Sequence, residues 1–104
     1  MSLFDVVVTR HKELVQYLKE IGVVDDNVEV IEHATAENIN DKNVIGVLPH
    51  SLSCLTETFA EVPLNIPQEM RGKPLTLEQI REYAQPLKAY IVREIRIVAR
   101  EIKD

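Results

Sequence analysis

Three cationic or potentially cationic side chains, Arg10, His11 and Lys12, follow a run of three valines, with Thr9 between. The run, Val6–Val8, is β-branched and apolar, which is typical of a strand buried on both faces. Apolar residues then recur at helical spacing: Leu14, Val15, Leu18 and Ile21. This pattern predicts a helix whose N-terminus carries the three cationic residues.

Cations at a helix N-terminus oppose the local field, because the first turn exposes unpaired N–H groups and the positive end of the helix dipole. The same groups bind phosphate and other anions in many proteins. We therefore interpret the cluster as a site for an anionic ligand. The alternative is that the three side chains extend into solvent without a partner.

The rest of the chain predicts an α/β fold, a Rossmann-like and mostly parallel sheet of about five strands with helices on both faces. The strands are expected at residues 6–8, 28–31, 44–47, 62–66 and about 89–97, with prolines placing the fourth near an edge. Helices are expected after the first strand, after the third (with Leu52, Leu55 and Phe59 as its apolar stripe) and from the capping box at Thr76. A single helical turn is expected near Glu37. The apolar residues of segment 87–102 also fit one face of a helix, so that alternative stays open.

Right-handed crossovers place the second strand on one side of the first strand and the third on the other. Ligands of such sheets bind at this switch point, outside the carboxyl ends of the strands. Two loops flank the predicted crevice, residues 9–11 and residues 48–51. The misplaced cations and the topology thus point to the same place.

The residue types in these loops suit phosphate chemistry. The guanidinium of Arg10 offers a planar fork to phosphate oxygens, and Arg71 is a second candidate. His11 and His50 are candidate acids or bases, since histidine exchanges a proton near neutral pH. The candidate site residues are, for catalysis, Arg10, His11 and His50, and, for ligand binding, Thr9, Pro49, Ser51 and Arg71.

Metal chemistry is a weaker alternative. His11, His33 and His50 each follow a successive strand, and three histidines can hold a catalytic zinc. The sequence has no paired local motif such as HExxH, and its three scattered glycines form no phosphate-binding loop. We therefore expect neither a metal nor another cofactor.

The composition sets further bounds. A chain of 104 residues with 45% hydrophobic residues is expected to form one domain, residues 1–104. Its net charge of −5 argues against binding to long nucleic acid. A single cysteine, Cys54, and the absence of a long apolar stretch or signal peptide favour the cytoplasm and no membrane contact.

Several short motifs resemble the small stand-alone CRISPR-associated proteins of type III systems, which have a CARF-like Rossmann fold. The motifs are Val7-Val8-Thr9-Arg10-His11, His33 after the second strand, Ile45-Gly46-Val47-Leu48-Pro49, Arg71-Gly72-Lys73-Pro74-Leu75 and Tyr90-Ile91-Val92. The resemblance extends over nearly the whole chain and depends on the order and spacing of the motifs. Val47 and His50 depart from the family pattern, so the likeness is greater at Thr9-Arg10-His11 than in the loop after the third strand.

The resemblance implies a metal-independent ring nuclease. Such a protein binds cyclic oligoadenylate and cuts it into short linear products, which ends antiviral signalling. Cyclic tetra-adenylate is the ring expected for this chain. The 2′-OH of the RNA is the nucleophile, so the protein supplies positioning and cationic donors. A ring of this size and symmetry suggests a homodimer.

Three other functions remain open. The chain could be a non-catalytic sensor or sponge for the same ring, or an enzyme acting on an unrelated phosphate ester. It could also be an interaction protein that uses its C-terminal segment.

Overall fold

The computed structural model describes residues 2–97, which form a five-stranded sheet with helices on both faces. The strands are β1 (Val6–Val8), β2 (Glu29–Ile31), β3 (Asn43–Gly46), β4 (Thr58–Glu61) and β5 (Lys88–Tyr90). Their order in the sheet is β2-β1-β3-β4-β5, and only the β4–β5 pair is antiparallel. The predicted α/β fold class and the switch point between β1 and β3 are confirmed.

The helices are α1 (Lys12–Glu20), α2 (Ala36–Ile39), α3 (His50–Ser53) and α4 (Leu77–Tyr83), and a 3₁₀ helix spans Gln68–Met70. The turn predicted near Glu37 is α2. The capping box predicted at Thr76 is present, since its hydroxyl accepts a hydrogen bond from the backbone N–H of Gln79 at 3.1 Å. None of the helices in residues 2–97 is long and apolar enough to cross a membrane.

Strand β1 lies between β2 and β3. Its three valines are all buried, and they point alternately to the two faces of the sheet. Val7 packs with Leu18 in one core cluster, on the face covered by α1. Val6 and Val8 pack with Ile39 in a second cluster, beneath α2 and α3. A buried strand between two cores holds the loop that follows it in a defined position.

The fourth strand and the second long helix were predicted wrongly. The strand spans Thr58–Glu61 rather than residues 62–66, and it lies between β3 and β5. Phe59 belongs to this strand, so it cannot extend the apolar stripe of α3, which ends after one turn at Ser53. The chain leaves α3 through a tight turn in which the Thr56 hydroxyl donates to the carbonyl of Ser53 at 2.6 Å.

The C-terminal strand is shorter than predicted. β5 spans Lys88–Tyr90, and residues 91–97, here called the C-terminal arm, carry neither strand nor helix. The reason is that β4 is the neighbour of β5 and begins at Thr58, one residue before Phe59, which pairs with Tyr90. Almost no strand therefore remains for residues after Tyr90 to pair with. The alternative of a helix over 87–102 fails for residues 87–97, and the remainder of that segment lies outside the described residues.

A close backbone approach joins β1 and β3 at their carboxyl ends. Gly46 has φ of 139°, in the half of conformational space that L side chains rarely adopt. A Cβ at this position would lie 2.0 Å from the carbonyl oxygen of Val8. The same carbonyl accepts a hydrogen bond from the N–H of Val47 at 3.1 Å. This contact sets the spacing of the two strands where the predicted crevice begins.

One ion pair connects the two helices on the α1 face. The Arg81 Nε atom donates to Glu20 Oε2 at 2.9 Å, and a second bond joins Arg81 Nη2 to Glu20 Oε1. These hydrogen bonds lower the pKa of the Glu20 carboxyl. A lowered pKa in the folded state means that the pair stabilises the fold above the pKa of the unfolded carboxyl. That contribution disappears as the pH falls through the folded-state pKa.

We therefore expect Glu20→Gln to have a lower melting temperature than the wild type at pH 7. Near pH 3 the two proteins should have the same melting temperature. Circular dichroism melts at the two pH values measure this. Glu82→Gln on α4 is the matched control, because Glu82 is exposed and has no such pair among the described residues. An equal decrease at both pH values would show that the charge of Glu20 is not the cause.

Candidate functional site

A cavity of about 610 Å³ opens at the switch point, outside the carboxyl ends of β1, β2 and β3. We call it the switch-point crevice. Residues from the loops after all three strands line it: Val8, Thr9, Arg10, His11, Glu32, His33, Ala34, Val47, Leu48, Pro49 and Leu52. Its volume is in the range of small-molecule sites, and its lining combines apolar side chains with polar and cationic ones.

Thr9 fixes the loop between β1 and α1. It is buried, its N–H donates to the carbonyl of Ile31 at 3.0 Å, and its hydroxyl oxygen accepts from the N–H of His11 at 3.1 Å. The hydroxyl retains its own proton, which it can donate to a ligand. Thr9 therefore holds the positions of Arg10 and His11 and also offers one donor of its own.

Arg10 and His11 are exposed and stand at the start of α1, as predicted. His11 is the N-cap residue, but its side chain makes no capping hydrogen bond. The first-turn N–H groups thus lack a side-chain acceptor of the usual kind. Both the N–H groups and the Arg10 guanidinium favour an anion here.

A second cavity of about 490 Å³ continues from the crevice along α1 and the edge strand β2. It shares Thr9, Arg10, His11 and Glu32 with the crevice. Its remaining lining residues include two lysines of α1, Lys12 and Lys19. Lys19 forms an ion pair with Asp26 at 3.4 Å, so Lys12 is the cation that this cavity adds to those of the crevice.

The residues of the loop predicted after the third strand line two different cavities. Leu48 and Pro49 line the crevice, and Pro49 is the N-cap of α3. His50 and Ser51 instead line a cavity of about 560 Å³ together with residues of the C-terminal arm. The buried Ser53 hydroxyl donates within this turn, to the carbonyls of Pro49 and His50 at 3.3 Å, while Leu52 packs α3 against the sheet.

Arg71 is also separate from the crevice. It follows the 3₁₀ helix, where it is exposed, and it is not among the residues that line the crevice. The predicted set is therefore brought together for Thr9, Arg10, His11 and Pro49, and not for His50, Ser51 or Arg71.

Two further residues, Glu32 and His33, belong to the crevice. They follow β2 directly, and both are exposed. The sequence predicted His33 as a candidate metal ligand and as part of the family resemblance, and it predicted no role for Glu32. The signal that points to them is topological, because β2 is parallel to β1 and its carboxyl end reaches the same edge of the sheet.

Within residues 2–97, no group of three or more histidine, cysteine, aspartate or glutamate side chains is close enough to share a metal ion. His11 and His33 line the crevice, whereas His50 faces the arm side of α3.

The parallel sheet, its two helical faces and the switch-point crevice define a Rossmann-like α/β protein. Residues 6–93 match the model of the family described as Putative CRISPR-associated protein (Cas_VVA1548), and the chain belongs to that family. The match includes every strand and helix described above. No curated protein and no solved structure shows a significant match to the chain.

Proposed function

We propose that this CRISPR-associated protein is a ring nuclease that binds cyclic oligoadenylate, with cyclic tetra-adenylate as its substrate, and cleaves it without a metal. The observation that carries the proposal is the switch-point crevice, in which Arg10 and His11 stand at an uncapped helix N-terminus. A phosphodiester group is the anion whose size and charge suit these donors.

Cleavage would use the ribose of the substrate itself. The 2′-oxygen attacks the adjacent phosphorus, the bond from phosphorus to the 5′-oxygen breaks, and a 2′,3′-cyclic phosphate and a 5′-hydroxyl result. The proton of the 2′-OH is taken up by a base, and the departing 5′-oxygen receives a proton. The protein has to hold these atoms in line and stabilise the charge that develops on the phosphate.

Arg10 is the proposed donor to the phosphate oxygens, with the Thr9 hydroxyl beside it. His11 is the proposed acid or base, because it lines the crevice while His50 does not. His33 replaces His50 as the second imidazole. Glu32 adds an acceptor for the hydroxyl or amino protons of a nucleotide.

A ring of four nucleotides is larger than the ligands that a crevice of about 610 Å³ encloses. We therefore propose a homodimer whose two crevices face a shared twofold axis, so that equivalent halves of the ring meet equivalent sites. Switching off the type III antiviral response would be the biological outcome of cleavage.

A non-catalytic sponge for the same ring is the second candidate. It is favoured by one observation: among the described residues, no hydrogen bond orients the imidazole of His11 or His33. A catalytic imidazole is commonly held by a second group, although such bonds can form only when substrate binds.

The deciding experiment incubates the pure protein with cyclic tri-, tetra- and hexa-adenylate and separates the products by chromatography with mass detection. Conversion of the tetra-adenylate ring to linear products ending in a cyclic phosphate supports the nuclease. Tight binding without turnover identifies the sponge. Neither binding nor cleavage of any ring contradicts both proposals.

Cleavage should be unaffected by a chelator, because the 2′-OH is an internal nucleophile and cationic side chains stabilise the phosphate. The measurement compares single-turnover rates in excess EDTA and in added magnesium, manganese or zinc. Loss of activity in EDTA with rescue by one of these metals would overturn the metal-independent mechanism.

A further inference from the structure

The C-terminal arm, residues 91–97, carries the most exposed of the large apolar side chains in the described residues. The exposed fractions are 76% for Ile91, 80% for Ile95 and 85% for Ile97. All three residues have odd numbers, so an extended backbone would place them on one face. Exposed apolar side chains gathered on one surface usually mark a site of association.

The arm is bound to the body of the protein only near its start. Val92 is half-buried, and the segment up to Glu94 borders α3. The described chain has a Cα radius of gyration of 16.3 Å and a longest dimension of 59 Å. A compact domain of this length has a radius of gyration of about 13 Å. The described residues are thus more extended than a compact domain of the same number of residues.

The arm also continues from an open edge of the sheet. β5 pairs with β4 on one side only, and it is the last strand in the sheet order. The other side of an edge strand presents unpaired N–H and C=O groups, which readily pair with a strand from another chain.

We propose that the arms of two copies of this chain pair as antiparallel β-strands about a twofold axis that passes through Ile95. In this register Ile95 lies opposite Ile95 of the second copy, and position 94 lies opposite position 96. The two Ile95 side chains then lie side by side on one face of the paired strands, where they pack against each other, and Ile97 of each chain lies opposite Arg93 of the other.

The charges of the arm favour this register. They also favour a second copy of this chain as the partner of the arm. Glu94 of each chain lies opposite Arg96 of the other, so the symmetry creates two cross-strand ion pairs. A register shifted by one residue in each strand would bring Glu94 against Glu94, which is unfavourable. An isologous interface requires a self-complementary segment, and the sequence Glu94-Ile95-Arg96 is one.

This inference supplies a contact for the proposed twofold dimer, and so it depends on that part of the proposed function. It does not depend on ring cleavage, because the paired segment contains none of the residues placed in the switch-point crevice. The two proposals can therefore fail separately.

The test is a charge exchange followed by sedimentation equilibrium. Glu94→Arg and Arg96→Glu should each weaken the dimer roughly tenfold or more, since each puts two like-charged pairs across the axis. The double variant Glu94→Arg/Arg96→Glu restores both pairs and should recover most of the affinity. Ile95→Asp should give a monomer, because it places two carboxylates directly opposite each other at the axis and removes the contact between the two isoleucines.

Leu3→Asp is the matched control, because Leu3 is 68% exposed and lies at the other end of the chain. It should leave the dimer intact. Circular dichroism melts at the lowest concentration confirm that each variant is folded, since the replaced side chains are exposed in the single chain.

A wild-type chain that remains monomeric at high concentration, or a double variant that is as weak as the single ones, would overturn the proposed pairing. A dimer that Ile95→Asp leaves intact would show that the interface lies elsewhere. Ring cleavage by the wild type, measured in parallel, reports on the proposed function independently of these results.

Discussion

Arg10→Ala is expected to slow single-turnover cleavage of cyclic tetra-adenylate on the order of a hundredfold or more, which is the usual effect of losing one preorganised donor to a developing charge. The side chain stands at the start of α1 in the switch-point crevice. If it stabilises the transition state more than the bound ring, the rate should decrease more than the affinity. Rapid-quench kinetics and equilibrium binding measure the two quantities separately.

Two further substitutions sharpen this prediction. Arg10→Lys should restore only part of the rate, because an ammonium cannot reproduce the bidentate fork of a guanidinium. Lys73→Ala removes an exposed cation from the turn after the 3₁₀ helix and should leave the rate unchanged. This control separates a specific loss from a general decrease in positive charge.

The free Arg10→Ala protein should be as stable as the wild type or slightly more stable, because the substitution removes a cation from the positive end of a helix dipole. Cleavage at the wild-type rate would show that the site is misplaced. Unfolding of the free variant would show that Arg10 is structural.

Gly46→Ala is expected to have the largest effect on stability. The substitution forces an L side chain into φ of 139° and brings its Cβ against the Val8 carbonyl, a backbone atom that cannot move aside without separating β1 from β3. We expect the free energy of unfolding to decrease by about 3 kcal/mol or more, and the melting temperature by more than about 10 °C.

Gly22→Ala is the matched control for this prediction. Gly22 follows α1 with φ of 81°, and a Cβ there would have no neighbour within 4 Å. Its replacement should decrease stability by only about 1 kcal/mol, the usual effect of a left-handed residue after a helix. Equal losses in the two variants would mean that the backbone angle, and not the close approach, explains the requirement for glycine at position 46.

The sequence by itself determined the elements whose signals are local. The valines of β1 predicted a buried central strand because no solvent-facing alternation interrupts them. The periodicity after Arg10 predicted α1, and the residues around Thr76 predicted α4 through its capping box. Parallel strands and right-handed crossovers then placed Thr9, Arg10, His11 and Pro49 at one edge of the sheet.

Local patterns failed where a contact between distant segments decides the outcome. Phe59 fits a helical stripe, but its pairing with Val44 and Tyr90 places it in β4. The orientation of α3 depends on the packing of Leu52 and Leu55 against β1 and β3, and His50 consequently lies beside the C-terminal arm. Gly46 gives no sequence signal of its own; its necessity comes from the Val8 carbonyl, which lies 38 positions earlier in the chain and contacts it only in the folded sheet. Which side chains share the crevice was therefore decided by tertiary packing, because a short helix and a loop have no orientation until the sheet beneath them is formed.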